Sequence, residues 1–456
     1  MLPLLFCSVA TDQVNRLFTA RCWCTNKALS DYQATIVMKV SFPRAWLGIL
    51  VLSTGMVSAA VALPRGEPEA LGFSPARLAL VTETLRHYVD AGHIPGVVAG
   101  IARHGRIVYL ESLGWQDVEQ QVPMRSDAMF QIRSMSKPVI SLAIMQLLER
   151  GQLRLDDPVS QFIPAFADMN VFEQVGVSDG AVRPASRQIT IGDLLLHVSG
   201  LSHRNSALYR ERDVRSRADT LSQLVDKVAG VPLVADPGTV WNYSISTTVL
   251  GRVVEIVSGQ ALDDYLQASI LDPLDMPDTG FHVPADQLDQ LVHVYRLSPA
   301  GMQREPDMDI PITREPPLLE GAAGLVSTVP DYLRFLQAFM NQGELDGNRV
   351  LSEAGVALMT RNQLPDAVLP IALNPQQPMH DLGWGYGFSV VMDASRSGFA
   401  RNNGEFGWNG SLGTFSWADP ETGTVAVLMM QIQPSGAYNL SALFKTLLSA
   451  GIVTAF

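Results

Sequence analysis

The stretch Ser134-Met135-Ser136-Lys137 places a hydroxyl and an amine three residues apart, where an apolar helical pattern begins that ends at Gly151. Residues three apart share one face of a helix, so we expect Ser134 Oγ and Lys137 Nζ to meet. A serine needs an adjacent base to act as a nucleophile. A lysine becomes that base when burial or neighbouring positive charge keeps it neutral. The stretch therefore predicts a serine nucleophile with a lysine base, while four such residues alone are also typical of an ordinary helix start.

Composition narrows the classes of function. The chain has 456 residues, of which 47% are hydrophobic and 17% charged, so a globular protein with a large core is expected. The net charge of −12 and the lack of a basic run interleaved with aromatic residues argue against a nucleic-acid partner. The histidines show no paired spacing typical of a metal site, and no glycine-rich phosphate loop occurs. Neither a metal nor a cofactor is therefore expected.

The N-terminal region has the parts of a secretory signal peptide. From Met38 a basic start with Lys39 and Arg44 is followed by an apolar stretch at 46–57 and by Ala60-Val61-Ala62. We expect cleavage near Ala62, a periplasmic or secreted product and no stable membrane anchor after cleavage. Residues 1–37 have no sustained periodicity and are interpreted as a spurious or unstructured extension. Cleavage would remove all three cysteines, Cys7, Cys22 and Cys24, so no disulfide is predicted in residues 63–456.

Strand signals lie at both ends of residues 63–456, with helices and loops between them. A first helix is predicted to start at Ser74-Pro75, with a hydroxyl N-cap and a proline in the first turn. Strands are predicted at 97–102, 107–113, 413–418 and 424–431, helices at 221–229 and 247–257, and a last helix at 438–450. This pattern predicts an α/β (α+β) fold in which one antiparallel sheet, built from both chain ends, is flanked by helices. The stretch of about 152–320 would be a mostly helical inserted domain.

Four further segments give the Ser134 tetrapeptide its context. They lie at 189–201, 237–244, 324–328 and 407–411. The order, spacing and residue identities of these segments resemble those of the serine β-lactamase superfamily of penicillin-recognising enzymes. Within it, they are most similar to the class C-like branch and to the family VIII carboxylesterases. The resemblance runs from about Gly72 to the C-terminus. It implies a β-lactamase/transpeptidase-like fold.

The resemblance also implies roles for individual residues. Ser134 would be the acylated nucleophile, Lys137 its base, and Tyr243 a proton relay for the leaving group. A phenol suits that role if a nearby ammonium lowers its pKa toward the working pH. The backbone N–H groups of Ser134 and Ser411 would form the oxyanion hole. Gly410 would let the substrate approach the strand backbone.

Departures from the family pattern indicate the substrate. Ile245 replaces an asparagine whose amide holds the β-lactam side chain, and Trp408, in Trp408-Asn409-Gly410, replaces a lysine that helps bind the antibiotic carboxylate. Loss of an amide donor and a cation should weaken the recognition of an anionic lactam. We expect an apolar wall of Ile245 and Trp408, with Trp384 and Tyr386 as further candidates, that favours a neutral ester of a short acyl chain. Asn409 and Gly410 would also contact the substrate.

Two other motifs and several alternatives remain. Ser178 lies in a G-x-S-x-G match, but a polar, proline-containing loop follows it where an apolar helix is needed. His197 is interpreted as a structural histidine that ties a loop by hydrogen bonds. A carboxylesterase is the leading hypothesis, with a class C-type β-lactamase or D-amino-acid peptidase as the alternative. A non-catalytic peptidoglycan-binding protein is the third reading, and the oligomeric state is not predicted.

Overall fold

A computed structural model describes residues 62–174, 180–308 and 312–453, and the backbone of two strands nearer the N-terminus. Those two strands, Phe6–Thr11 and Phe18–Trp23, pair antiparallel within a compact unit of residues 1–57. The rest of the predicted N-terminal extension, the signal peptide before Ala62 and the Ser178 motif lie outside the described residues. Residues 58–456 form the second compact unit, which contains the elements discussed below.

An eight-stranded antiparallel sheet is the centre of this unit. Its strands, in chain order, are β1 (Gly96–Arg103), β2 (Arg106–Asp117), β3 (Val122–Pro123), β4 (Leu382–Trp384), β5 (Ser389–Val391), β6 (Phe406–Gly410), β7 (Thr414–Asp419) and β8 (Thr424–Met429). The spatial order is β4-β5-β6-β7-β8-β1-β2-β3. Strand β8 pairs with β1, with Val427 opposite Gly100. The sheet is therefore built from both ends of the unit, as the sequence predicts.

Ten α-helices are found among the described residues. They are α1 (Pro75–Asp90), α2 (Ser136–Glu149), α3 (Ile191–Leu195), α4 (Ala207–Glu211), α5 (Leu221–Ala229), α6 (Ser246–Ser258), α7 (Leu262–Leu266), α8 (Val329–Met340), α9 (Glu353–Thr360) and α10 (Leu440–Gly451). Ser74 caps α1 through a hydrogen bond from Arg77 N–H, with Pro75 in the first turn. This confirms the predicted helix start.

Short elements complete the unit. Pairs of short strands are Phe130–Gln131 with Val326–Ser327, Asn170–Phe172 with Val182–Pro184, Glu344–Leu345 with Asn348–Arg349, and Tyr295–Ser298 with both Gly301–Arg304 and Ile432–Gln433. Single 3-10 turns lie at Glu69–Leu71, Arg133–Met135, Val159–Gln161, Pro164–Phe166, Leu288–Gln290, Pro306–Met308, Asp366–Val368 and Ala394–Arg396, and a π-helical turn at Gln267–Leu271.

Helices cover both faces of the sheet. Alternate residues of β1 point to opposite faces, and all eight residues of the strand are buried. Val97, Ala99 and Ile101 pack in one core cluster with residues of α1 and α10. Val98 and Ala102 belong to a larger core cluster that includes residues of α2 and α8. The result is a helix–sheet–helix arrangement in which α3–α7 extend the layer on the α2 side.

Candidate active site

Ser134 lies in a single 3-10 turn, Arg133–Met135, that leads directly into α2. The chain bends sharply there, because Arg133 has a φ of +48°, in the left-handed region. Ser136 Oγ accepts a hydrogen bond of 3.1 Å from Leu325 N–H, which ties the first turn of α2 to the segment before α8. Ser134 is therefore held at a fixed bend just outside the regular helix.

Lys137 is buried directly beside Ser134. Its Nζ lies 3.4 Å from Ser134 Oγ and donates a hydrogen bond of 2.9 Å to Ala322 O. Burial, assisted by the nearby positive charge of Arg204, holds the pKa of Lys137 well below its usual range. A neutral amine keeps its bond to Ala322 O and still has a lone pair for the Ser134 proton. The predicted meeting of the two side chains is confirmed.

Tyr243 lies on the other side of the same pair. Lys137 Nζ is 4.5 Å from the centroid of its ring, and Trp408 Nε1 donates a hydrogen bond of 2.8 Å to Tyr243 Oη. Burial raises the pKa of Tyr243 to about 12, against the opposing effect of hydrogen bonds with Ser134 and Trp408. The condition that a nearby ammonium lowers this pKa is therefore not met, because the cost of burying a phenolate dominates.

His197 fixes the segment that carries Tyr243. The buried imidazole Nδ1 accepts a hydrogen bond of 3.3 Å from Ser244 N–H. Asn242 N–H donates a hydrogen bond of 2.8 Å to the backbone oxygen of His197. Burial holds the pKa of His197 well below its usual range, so the ring is neutral. These contacts confirm the prediction of a structural histidine.

Strand β6 borders the site with the segment that the sequence singled out. Trp408, Asn409 and Gly410 line the cavity next to Ser134, as does Ser411 just after the strand. A Cβ atom on Gly410 would lie 2.3 Å from Ile132 O, so glycine allows the strand to pack directly on the turn before Ser134. The backbones of Ser134 and Ser411 therefore border one cavity.

This cavity has a volume of about 630 Å³. Ser134 and Tyr243 lie in its wall together with polar groups, including His203 and Arg204. The apolar part of the wall near them comes from Ala372, Leu373, Met379, Leu382 and Trp408. A pocket of this size, lined by both polar and apolar side chains, suits a small, partly apolar molecule.

Three predicted wall residues lie elsewhere. Ile245 is fully buried in the core at the N-cap of α6 and does not line the cavity, which corrects its assignment to the substrate wall. Its apolar side chain gains more from core packing than from exposure in a cleft. Trp384 is fully buried and donates a hydrogen bond of 3.1 Å to Leu195 O. Tyr386 is 8% exposed and belongs to the main core cluster. Both are core aromatics.

Sequence reasoning missed a group of charges next to the site. Arg204 lies 3.1 Å from Glu320, and Arg215 holds the same carboxylate with two hydrogen bonds of 2.6 and 3.2 Å. Burial pushes the pKa of Glu320 upward, but Arg204 and Arg215 outweigh it and lower the pKa to about 2. More than a hundred residues separate the partners in the chain, and no spacing rule links them.

Among residues 62–174, 180–308 and 312–453, no three His, Cys, Asp or Glu side chains are grouped so that they could hold a metal ion. None of the helices in the same part of the chain is both long and apolar enough to cross a membrane.

The antiparallel sheet, its two helical layers and the inserted helices define the β-lactamase/transpeptidase fold. A model of the family described as Beta-lactamase matches residues 81–449, and the chain belongs to that family. The resemblance seen in the motifs is thus confirmed. The family assignment makes the protein a β-lactamase-related hydrolase.

Relatives agree with this assignment. Protein Rv1367c of Mycobacterium tuberculosis is 31% identical over 377 residues, covering 79% of this chain and 91% of its own. Esterase EstB of Burkholderia gladioli is 29% identical over 365 residues, and the match covers 73% of this chain and 85% of EstB. The solved structure of EstCE1, described as a hydrolase with promiscuous acyltransferase activity, has a TM-score of 0.70 and 28% identity, and the match covers 83% of this chain and 99% of that one.

Proposed function

We propose that this protein is a serine carboxylesterase that hydrolyses short-chain acyl esters through an acyl-enzyme. The observation that carries the proposal is the buried Lys137, whose Nζ lies 3.4 Å from Ser134 Oγ and whose pKa burial holds well below its usual range. The likeness to an esterase and to a hydrolase with acyltransferase activity supports it.

In the first half-reaction, Ser134 Oγ attacks the ester carbonyl carbon while its proton passes to Lys137 Nζ. The carbonyl oxygen becomes an oxyanion, for which we assign the backbone N–H groups of Ser134 and Ser411 as donors. The bond to the alcohol then breaks, and the alcohol oxygen takes a proton from Tyr243 Oη. Tyr243 is reprotonated by Lys137, which becomes neutral again. With a pKa raised to about 12, Tyr243 acts as a neutral phenol that passes protons on.

In the second half-reaction, water attacks the acyl carbon. Lys137 and Tyr243 take the proton of that water and return it to Ser134 Oγ, so the free acid leaves and the enzyme is restored. The side chains of Ala372, Leu373, Met379 and Leu382 would contact the acyl chain. The cavity of about 630 Å³ has room for a short acyl chain beside these side chains.

The test uses residues 63–456 with p-nitrophenyl acetate and butyrate, a chromogenic cephalosporin and a D-Ala-D-Ala peptide. We expect rapid ester hydrolysis that is lost in Ser134→Ala. A kcat/KM for the cephalosporin above that for the esters would instead indicate a β-lactamase. Failure of a fluorophosphonate probe to label the wild type would point to a non-catalytic protein.

We also propose that residues 38–62 direct export to the periplasm or medium. In support of a domain that begins after them, Leu63 is buried and Ile107 N–H donates a hydrogen bond of 2.9 Å to Pro64 O. N-terminal sequencing of the native product should begin near Leu63. An intact Met1 would contradict this proposal.

A further inference from the structure

A second, smaller cavity of about 130 Å³ shares Ala323 in its wall with the catalytic cavity. Ala323 follows Ala322, whose carbonyl oxygen holds Lys137 Nζ. The charged residues that line the smaller cavity are four arginines and one glutamate, namely Arg133, Arg215, Arg217, Arg314 and Glu320. Positive charge is therefore in excess immediately behind the wall that carries the serine–lysine pair.

Glu320 balances only part of this charge. Both of its oxygens are engaged, by Arg215 at 2.6 and 3.2 Å and by Arg204 at 3.1 Å. One carboxylate is shared by two guanidinium groups, so these three residues together keep a net positive charge. Arg204 also lines the catalytic cavity itself.

Arg133 is attracted by the charge of Glu320 but forms no such hydrogen bonds through Nε and Nη2. Its Nε and Nη2 atoms are buried and meet no hydrogen-bond acceptor among the described residues. Burial, followed by the charge of Arg204, lowers the pKa of Arg133 to about 9, so the group still carries its charge at neutral pH. A buried cation without a hydrogen-bonded anion is unfavourable, and such groups in proteins are normally paired.

The two unpaired atoms of Arg133 indicate which chemical group could bind there. Nε–H and Nη2–H form one edge of the guanidinium, and they donate in parallel to the two oxygens of a single carboxylate. Arg215 binds Glu320 through the same edge of its own guanidinium. Arg133 lines the second cavity, which shares Ala323 with the catalytic cavity, and it precedes Ser134 in the chain, so we infer that a carboxylate held at this edge lies near an ester at the serine.

We propose that Arg133, supported by Arg204 and Arg215, forms a carboxylate-recognition subsite, so that the preferred substrates are esters with a carboxylate close to the scissile group. This inference rests on the proposed esterase function and refines its substrate class. The proposed substrate, an ester with a carboxylate, differs from the neutral ester that Trp408 indicates. The cation absent from β6 is replaced by arginines at the start of α2 and in the inserted region.

The test compares esters that differ only in charge. Monomethyl glutarate and its carboxamide isostere place the group on the acyl side, and 4-acetoxybenzoate and 4-acetoxybenzamide place it on the alcohol side. Steady-state kinetics are measured for the wild type, Arg133→Met and Arg133→Lys. Arg86→Met, at an exposed position of α1, is the control for the loss of one positive charge.

For at least one pair, the wild type should prefer the acid over the amide by about 10-fold or more in kcat/KM, as expected for a charged hydrogen bond. Arg133→Met should abolish this preference by raising KM for the acid relative to KM for the amide. Arg133→Lys should keep part of it, since a lysine supplies charge without the paired edge. Arg86→Met should leave it unchanged.

Equal rates on acid and amide in both pairs would overturn the subsite and leave the esterase proposal intact. A preference that survives in Arg133→Met would overturn the role of Arg133. If no ester is hydrolysed at all, the proposed function fails, and calorimetry of glutarate with the wild type and Arg133→Met decides on the subsite alone. Binding lost in the variant supports the subsite, and no binding to the wild type refutes it.

Discussion

Trp408 occupies the place where the family pattern has a lysine, and the structure shows what the indole does there. Its Nε1 donates to Tyr243 Oη at 2.8 Å, and its ring packs edge-on against Trp384 with a centroid distance of 4.6 Å. The exchange of lysine for tryptophan therefore removes a cation from β6 and supplies a rigid donor that orients Tyr243. In this site, Trp408 is best understood as a positioning residue for the proton relay.

Trp408→Phe keeps most of the ring packing and removes only the donor. We expect kcat to fall about 5-fold with little change in KM, because one hydrogen bond that orients the relay contributes about 1 kcal/mol. Trp384→Phe is the matched control, since its Nε1 bonds Leu195 O in the core. That variant should lose thermal stability and retain kcat. A Trp408→Phe variant with wild-type kcat would exclude the positioning role.

The charges around Glu320 set the basicity of Lys137. The lysine must be neutral to accept the proton of Ser134, so activity should fall as the pH drops through its pKa. Burial and then Arg204 lower this pKa, whereas Glu320 raises it. Arg204→Met should therefore move the acid limb of kcat/KM, for a neutral ester, to higher pH. Glu320→Gln should move it to lower pH.

The pH profiles of both variants are measured with p-nitrophenyl butyrate, with Arg86→Met as the control for the overall loss of charge. Shifts of the acid limb in opposite directions would show that the charges act on Lys137. A general loss of structure would shift the acid limb in the same direction in both variants. Unshifted limbs in both variants would mean that another group limits the activity at low pH.

At the scale of elements, the site depends on how closely β6 packs against the turn that carries Ser134. Gly410 lies against Ile132 O, and Thr414 Oγ1 on β7 donates to the same oxygen at 3.2 Å. Strands β6 and β7 and the turn before α2 are thus joined through one carbonyl group. Any displacement of β6 would change the distance between the backbones of Ser411 and Ser134.

Gly410→Ala tests this contact. The added methyl group would overlap the Ile132 carbonyl and push β6 outward, and a displacement of about 1 Å at a catalytic group can cost about 100-fold in rate. We expect a fall of this order in kcat for p-nitrophenyl butyrate with a folded protein by circular dichroism. Ser411→Ala changes only a side chain and should remain close to the wild type. A large loss in Ser411→Ala would assign the role to the hydroxyl rather than to the backbone.

The sequence predicted several of the elements whose signals are local, but not all of them. The start of α1 follows from Ser74-Pro75, and Thr328 with Pro330 supplies the same signal at α8, which was not predicted. Strands β4 and β5 have three residues each, too few for an alternating pattern to be seen.

In the candidate site, too, some residues could be predicted from the sequence and others could not. Ser134 and Lys137 follow from their spacing, and Tyr243 from the family resemblance. The bond from Trp408 to Tyr243 and the ion pairs of Glu320 join residues far apart in the chain, so only the folded structure reveals them. Ile245 was misplaced because a position in a motif does not say on which side of the backbone the side chain is buried.

At the scale of the whole molecule, the N-terminal and C-terminal parts of the second unit form one sheet, and the catalytic elements lie on one face of it. Strand β1 is central, with β8 on one side and β2 on the other. The face of the sheet that carries Val98 and Ala102 packs in one core cluster with residues of α2 and α8. The position of α2, and hence of Ser134, therefore depends on packing between parts of the chain that are distant in sequence.

Gly100 is the point of closest packing between β1 and α8. A Cβ atom there would lie 2.6 Å from Val329 Cγ1 and 2.8 Å from Leu333 Cδ1. Gly100→Val would overfill this contact, and we expect the free energy of unfolding in urea to fall by about 1–3 kcal/mol. Gly398→Ala, at an exposed glycine with open space around it, should leave stability unchanged. If Gly100→Val were as stable as the wild type, helix α8 could shift without cost, and the sheet would not fix the position of the helices that carry the site.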